Sequence, residues 1–243
     1  MNETISPLAL PGFVRQRLFD TDAAMAPALA AAVADALRSG LAGRGCASLA
    51  VSGGRSPIPF LEALSAETLD WSRVTVTLVD ERWVAPDSVD SNEALVRRHL
   101  LQGRAAAARF VPLKTPVESP EAGVAGALTL RAELPQPFDA VVLGMGEDGH
   151  TASLFPDAAG LAAALDMTGD AELTCIHPPV APHARITLTL AGLLATQRLF
   201  VQAGGAKKRE VLERAAILGD PLQLPVAAVL QQRKVVPELF FCA

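Results

Sequence analysis

The fold of this chain is indicated by residues 138–150, FDAVVLGMGEDGH, in which an apolar run passes directly into a glycine-rich turn. Phe138–Leu143 has the length and the β-branched content that favour a buried strand. The same order recurs where Cys46–Val51 leads into Ser52-Gly53-Gly54, and where Val74–Val79 stops at Asp80. Strands that are apolar on both faces are typical of parallel sheets covered by helices.

Helical patterns fall between these strands. Residues 21–39 place apolar side chains at four-residue spacing, which predicts a helix capped by Thr21 and ending at Gly40. A second helix, capped by Ser91, is predicted over 91–102. Two further strands are predicted at 186–190 and 198–201, and a further helix at 207–218. The alternation predicts an α/β, Rossmann-like fold, with a mostly parallel sheet, helices on both faces and a single domain over residues 1–243.

The composition argues against several classes of protein. Half of the 243 residues are apolar and the net charge is −5, so neither a nucleic acid nor an anionic membrane is an expected partner. The sequence shows no signal peptide and no apolar run of about 18 residues that would span a membrane. Cys46, Cys175 and Cys242 are expected to be core residues of a cytoplasmic protein, and His177 and His183 lie in loop-like sequence without metal-ligand spacing.

Asp148 and His150 are the strongest candidates for chemistry. They lie in Gly144–Pro156, GMGEDGHTASLFP, whose glycines match the GxGxxG pattern of dinucleotide-binding turns. That interpretation is not favoured, because the segment lies past the middle of the chain and Pro156 interrupts it within about two helical turns. An imidazole beside a carboxylate can instead take a proton from water and return it to a leaving oxygen. The alternative is that His150 only makes hydrogen bonds within a turn.

A second candidate site is the loop at residues 52–57, SGGRSP. Its glycines allow backbone N–H groups to point at an anion, its serines add hydroxyl donors, and a helix is predicted to begin near Pro57. The alternative is an ordinary turn between a strand and a helix, which favours the same residue types. Ser52 also resembles the nucleophile of a hydrolase elbow, although Ala50 replaces the first glycine of that motif.

Three basic residues are predicted to lie at strand ends. Arg82 belongs to the segment 80–83, DERW, and its guanidinium suits an oxyanion or a phosphate, or alternatively an ion pair with the neighbouring acids. Arg185 and Lys207 are candidate phosphate ligands or, alternatively, plain surface charges. Trp83 is predicted to form a wall of the cleft.

Taken in order along the chain, these motifs resemble a known family. They are Ser52-Gly53-Gly54 with Ser56-Pro57, Asp80–Val84, Ser91-Asn92-Glu93, Gly144–Pro156, Arg185–Thr189 and Gly204-x-x-Lys207. The sequence resembles the 6-phosphogluconolactonases of the glucosamine-6-phosphate isomerase/6-phosphogluconolactonase family over nearly its whole length. It departs from the family pattern at Ser56, which replaces a threonine but keeps the hydroxyl.

The resemblance implies a reaction and a set of site residues. The reaction is the hydrolysis of 6-phospho-D-glucono-1,5-lactone in the oxidative pentose phosphate pathway, without a metal or nucleotide cofactor. His150 is implied to be the general base, with Asp148 beside it, and Arg82 is implied to stabilise charge near the lactone. The residues implied to bind the substrate phosphate are Ser52, Gly53, Gly54, Ser56, Arg185 and Lys207.

Two other functions are compatible with the same fold. Amino-sugar phosphate deaminases of this family carry an extra acid just after the histidine segment, whereas Ala152–Pro156 contains none. A sugar-phosphate sensor would not need the Asp148/His150 pair and would usually carry a further domain. Lactone hydrolysis is therefore the predicted function, and a small sugar phosphate is the predicted ligand.

Overall fold

The computed structural model describes residues 5–243 and contains two sheets. The strands are β1 Arg15–Phe19, β2 Ala47–Val51, β3 Val74–Leu78, β4 Asp80–Arg82, β5 Arg109–Phe110, β6 Phe138–Leu143, β7 Leu173–Ile176, β8 Arg185–Leu188, β9 Thr196–Gly204 and β10 Pro237–Cys242. The central sheet has seven strands in the order β1-β10-β9-β6-β2-β3-β5, and every neighbouring pair is parallel. The second sheet has three antiparallel strands in the order β4-β8-β7.

Helices flank the central sheet, as the sequence predicts. They are α1 Asp22–Arg44, α2 Ile58–Ser65, α3 Asn92–His99, α4 Pro120–Arg131, α5 Leu161–Ala164, α6 Leu190–Leu193, α7 Ala206–Leu218 and α8 Val226–Gln231. The predicted α/β fold with a mostly parallel sheet is therefore confirmed. None of the helices in residues 5–243 combines the length and the apolar character needed to cross a membrane.

The strand order reverses between β2 and β6. From β2 the chain proceeds to β3 and β5 on one side, and from β6 it proceeds to β9 and β10 on the other side. In parallel sheets, a ligand-binding crevice forms beyond the carboxyl ends of the strands at such a reversal point. Ser52 follows β2 and Gly144 follows β6, so both predicted glycine loops lie at this point.

Helix α1 begins where the sequence predicts and ends later. The Thr21 side chain accepts a hydrogen bond from the backbone N–H of Ala24, which confirms the predicted cap. The predicted end at Gly40 is wrong, because the helix continues to Arg44. Gly40 is a point of close approach, since a Cβ added there would overlap the carboxylate of Asp139 on β6. From sequence alone, a glycine needed for close packing against a neighbouring strand cannot be distinguished from a glycine that ends a helix.

The segment predicted as a strand at 186–190 lies outside the central sheet. It forms β8, which runs antiparallel to β4 and pairs Arg185 with Arg82. Arg185 is the first residue of β8 and so lies at a strand end, as the sequence predicts. The pairing places the two arginines side by side, next to the crevice at the carboxyl edge of the central sheet.

Candidate active site

A cleft of about 180 Å³ lies at the carboxyl ends of β2, β3, β6 and β9. Its polar lining comes from both glycine loops, from β4 and β8, and from the end of β9. The lining includes Ser52, Gly53, Gly54, Ser56, Asp80, Arg82, Asn92, Gly144, Gly146, His150, Arg185, Gln202 and Lys208. The structure thus gathers into one cleft most of the side chains that the sequence singles out, from segments far apart in the chain.

Asp148 and His150 form a hydrogen-bonded pair at this cleft. The imidazole Nδ1 lies 2.6 Å from Asp148 Oδ1, and the backbone N–H of His150 donates to the same oxygen at 3.1 Å. Burial raises the pKa of Asp148, but the hydrogen bond and charge of His150 outweigh it, so the pKa lies below its usual value. The carboxylate therefore stays ionised in the pH range where histidines titrate. Because Nδ1 is held by Asp148, Nε2 is the nitrogen left for exchanging a proton with water.

The imidazole of His150 is contacted on its face by Phe155 as well as at Nδ1 by Asp148. The ring of Phe155 stacks on it with the ring centroids 4.3 Å apart and the planes inclined by 26°. The His150 side chain remains 30% exposed, so water reaches it. A ring that is fixed in orientation but open to solvent meets the requirement for a general base that acts on water.

Glycines are required at two positions of this turn. A Cβ at Gly146 would overlap both the His150 ring and the Asp148 carboxylate. Gly149 has a φ of +81°, a left-handed conformation, and a Cβ there would lie 2.7 Å from Leu224 Cδ2. The GxGxxG pattern thus serves to close a tight turn around an acid–base pair, and no long helix follows it.

The serine-glycine loop after β2 forms the opposite wall. Ser52 is buried, and its hydroxyl oxygen accepts a hydrogen bond from the Gly144 N–H at 3.1 Å, which ties this loop to the histidine loop. Gly54 has a φ of +93°, and a Cβ at Gly53 would overlap the Asn92 side chain. Helix α2 begins directly afterwards at Ile58, as the sequence predicts.

The acidic residues of segment 80–83 stabilise the fold around the cleft. Glu81 is buried and accepts hydrogen bonds at 2.7–2.9 Å from the backbone N–H groups of Arg82, Asn92 and Glu93 and from the Ser91 hydroxyl. Burial raises the pKa of Glu81, although these hydrogen bonds oppose the rise. The carboxylate therefore caps helix α3 and fixes the backbone of the arginine that follows it.

Arg82 and Arg185 bring two guanidinium groups to the cleft. Nη1 of Arg82 donates to the backbone oxygen of Asp90 at 2.6 Å, and Nη1 of Arg185 lies 3.8 Å from Asp80 Oδ2. Arg185 also stands over the Phe155 ring at 5.2 Å, and its burial lowers its pKa. Within residues 5–243, the Nε atoms of both arginines are buried without a hydrogen-bond partner. Buried unpaired donors are costly, so this part of the cleft is suited to an anionic or strongly polar ligand.

The structure does not bring Lys207 to the cleft. Its side chain is 78% exposed and its Nζ lies 3.4 Å from Glu147 Oε2. The next residue, Lys208, lines the cleft together with Gln202. Successive residues of a helix point about 100° apart, so a one-residue difference at the start of α7 decides which lysine faces the site. The sequence motif indicated Lys207 alone, and neither Lys208 nor Gln202 was predicted to line the cleft.

Three other predictions about single side chains are wrong. Trp83 does not line the cleft: its indole N–H donates to the backbone oxygen of Glu118 at 2.9 Å and its ring packs on Gly123 of α4. Cys46 and Cys175 are only half-buried, whereas Cys242 is buried as predicted. His177 lies outside the strands and helices, as its loop-like sequence predicts, and its Nε2 lies 2.6 Å from Glu121 Oε1.

Comparison with known proteins identifies the family. Residues 20–237 match the family model described as glucosamine-6-phosphate isomerases/6-phosphogluconolactonase. The chain is 49% identical over 227 residues to a 6-phosphogluconolactonase of Pseudomonas aeruginosa, an alignment that covers 93% of this chain and 95% of that protein. A crystal structure of a 6-phosphogluconolactonase from Shewanella baltica superposes with a TM-score of 0.93 at 42% identity, covering 96% of this chain and 100% of that one.

A monomeric glucosamine-6-phosphate deaminase of known structure shares the fold more distantly. It superposes with a TM-score of 0.74 at 17% identity, covering 94% of this chain and 97% of that one. At this level of identity the likeness concerns the fold alone. The family model matches most of the chain, and the 6-phosphogluconolactonases named above are 42–49% identical to it. The chain belongs to the glucosamine-6-phosphate isomerase/6-phosphogluconolactonase family.

Proposed function

We propose that this protein hydrolyses 6-phospho-D-glucono-1,5-lactone to 6-phospho-D-gluconate, the lactone-opening step of the oxidative pentose phosphate pathway. The observation that carries the proposal is the Asp148–His150 contact of 2.6 Å at a cleft lined by basic side chains. The names of the close relatives in Pseudomonas aeruginosa and Shewanella baltica support the same reaction. The expectations of a single domain over residues 1–243 and of a cytoplasmic location belong to this proposal.

In the proposed mechanism, His150 acts as the general base. Nε2 takes a proton from water, and the resulting hydroxide adds to the lactone carbonyl to give a tetrahedral oxyanion. Asp148 holds the ring by Nδ1 and stabilises the imidazolium that forms. When the ring C–O bond breaks, the imidazolium returns the proton to the departing oxygen, and the product leaves as the open acid.

The basic side chains divide between the two ends of the substrate. Ser52, Gly53, Gly54 and Ser56 are proposed to bind the phosphate with N–H and hydroxyl donors, and Lys208 adds a positive charge there in place of Lys207. Arg82 is proposed to stabilise the oxyanion. Arg185, expected from the sequence to bind phosphate, stands over the same Phe155 ring on which His150 stacks. We therefore assign it to the boundary between the phosphate and the lactone.

The covalent serine alternative has less support from the geometry. The Ser52 oxygen already accepts a hydrogen bond from the Gly144 N–H, and its side chain is buried. Within the described part of the chain, no hydrogen bond joins Ser52 to His150, whereas a serine nucleophile requires a base within hydrogen-bond reach. The direct attack of water is therefore the mechanism that we put forward.

The proposal is tested by steady-state kinetics with the purified protein. We expect rapid hydrolysis of the phosphorylated lactone, measured above its spontaneous hydrolysis, and no conversion of glucosamine 6-phosphate. His150→Ala is expected to lower kcat by about 10²–10⁴-fold. His99→Ala is the matched control, because His99 lies on α3 and contacts Glu62 on α2, with no place in the cleft lining. Normal turnover by a folded His150→Ala variant would exclude the general-base role.

A further inference from the structure

A second cluster of reactive side chains lies away from the cleft. Glu121 is in the first turn of α4, Cys175 is on β7, and His177 follows the end of that strand. Their ligand atoms all lie within 4.8 Å of one another. Nε2 of His177 is 2.6 Å from Glu121 Oε1, and these two residues are 56 positions apart in the sequence. None of the three side chains lines the cleft.

The geometry follows from the way that α4 packs against the edge of the second sheet. β7 is an edge strand, paired only with β8 in that sheet. Cys175 and His177 are two residues apart, so on an extended backbone their side chains point to the same side. Helix α4 packs on β7 and presents Glu121 to both of them. The cluster is open to solvent, with 63% of the His177 side chain exposed, so an ion and a water molecule have access.

The donor set has the chemistry of a transition-metal site. A thiolate, an imidazole and a carboxylate are the three side-chain types that bind Zn²⁺, whereas Mg²⁺ and Ca²⁺ prefer oxygen ligands alone. Ligand bonds of about 2.0–2.3 Å in a tetrahedral site place ligand atoms about 3.3–3.7 Å apart. Side-chain rotations that move the ligand atoms by about 1 Å therefore bring all three to bonding distance of one zinc ion. A thiolate and a carboxylate together also neutralise the charge of a dication.

From this arrangement we propose that Glu121, Cys175 and His177 bind Zn²⁺ with three protein ligands and one water molecule. On binding, the Cys175 S–H proton passes to solvent and a Zn–S bond forms. The proton on His177 Nε2, which is hydrogen-bonded to Glu121, moves through solvent to Nδ1, so Nε2 and the released Glu121 oxygen both bind the metal. No oxidation state changes.

The ion would join α4 to β7, and none of its three protein ligands lines the cleft. Gly123 of α4 packs on Trp83, which directly follows Arg82 in the chain. A ligand that binds only the folded protein stabilises it by mass action, so the expected effect is on stability and not on the chemistry of lactone opening. The inference is independent of the proposed function.

The test uses Co²⁺ as a spectroscopic substitute for Zn²⁺ on the purified, reduced full-length chain. We expect the intense visible bands of tetrahedral Co²⁺ together with a near-ultraviolet charge-transfer band from a thiolate, saturating at one ion per chain. Cys175→Ser should abolish the charge-transfer band, and His177→Ala should weaken binding at least tenfold. Cys46→Ser and His99→Ala are matched controls, since they remove another half-buried thiol and another imidazole that pairs with a glutamate.

Zn²⁺ should displace the Co²⁺ bands and raise the thermal midpoint of the wild type but not of Cys175→Ser. Binding of metal by the Asp148/His150 pair is separated by repeating the titration in His150→Ala, where the thiolate band should persist. A weak octahedral spectrum without the thiolate band would overturn the proposal. A spectrum that is unchanged in Cys175→Ser would overturn it as well.

Discussion

The two adjacent lysines at the start of α7 allow a sharp test of how the cleft recognises phosphate. Lys208 lines the cleft, whereas Lys207 is 78% exposed and its Nζ is 3.4 Å from Glu147. Lys208→Ala and Lys207→Ala remove the same atoms from neighbouring positions of one helix. The loss of one positive charge from the first turn of the helix is therefore common to both variants, which differ in the exposed Lys207–Glu147 ion pair and in the place of Lys208 in the cleft lining.

The expected magnitudes follow from the environment of each ammonium group. A hydrogen bond to a charged group contributes about 1.5–3 kcal/mol, so its loss in Lys208→Ala should lower kcat/KM by about 10–150-fold. Lys207 does not line the cleft, and its exposed ion pair with Glu147 contributes about 0–1 kcal/mol to stability. Its removal should change kcat/KM by less than about threefold.

The assay compares kcat/KM for the phosphorylated lactone and for glucono-1,5-lactone, in the wild type and in both variants. Lys208→Ala should affect the phosphorylated substrate strongly and leave the low activity on the plain lactone nearly unchanged. An equal loss on both substrates would show that Lys208 does not bind phosphate. A larger loss in Lys207→Ala than in Lys208→Ala would refute the structural assignment and restore the one made from the sequence.

Two further pairs of variants test the glycines. Gly146→Ala should lower kcat by up to about 100-fold by displacing the His150 ring. Gly12→Ala, whose Cβ would meet no atom within 4 Å and which lies outside the cleft lining, should change kcat by less than about threefold. Equal effects in the same kinetic assay would contradict this. In α1, Gly40→Ala should lower the free energy of unfolding by about 1–3 kcal/mol because it overlaps a buried carboxylate. In Gly43→Ala the added Cβ meets no atom within 4 Å, so this substitution should raise the free energy of unfolding by about 0.5–1 kcal/mol. Urea denaturation measures both variants, and changes of the same sign in the free energy of unfolding would refute the packing argument.

Local features of the sequence predicted local structure well. The bounds of β6 match the predicted Phe138–Leu143, and Thr21 and Ser91 cap helices as expected. Each of these depends on a few neighbouring residues: an apolar run that ends at a glycine, or a hydroxyl that accepts a backbone N–H in the first turn. The Asp148/His150 pair was recognisable for the same reason, since both members lie in one turn.

Features that depend on distant pairing were not predictable in the same way. The pairing of β8 with β4 places Arg185 beside Arg82, and no local pattern distinguishes such a strand from one in the central sheet. The role of Glu81 as a helix cap depends on a helix that begins 11 residues later, so the sequence showed only an acid beside an arginine. The Glu121/His177 contact joins residues 56 positions apart, so no local pattern in the sequence indicated it.

The compact turn that carries Asp148 and His150 has a consequence for partly unfolded forms of the protein. Only one residue separates the acid from the base, so holding them together costs very little loop-closure entropy. Arg82 and Arg185, by contrast, meet only when β4 and β8 are paired. Loosening of the small sheet would therefore scatter the cationic groups while the acid–base pair survived. If these residues act as proposed, such a form would lose its selectivity for an anionic substrate before it lost the groups that activate water.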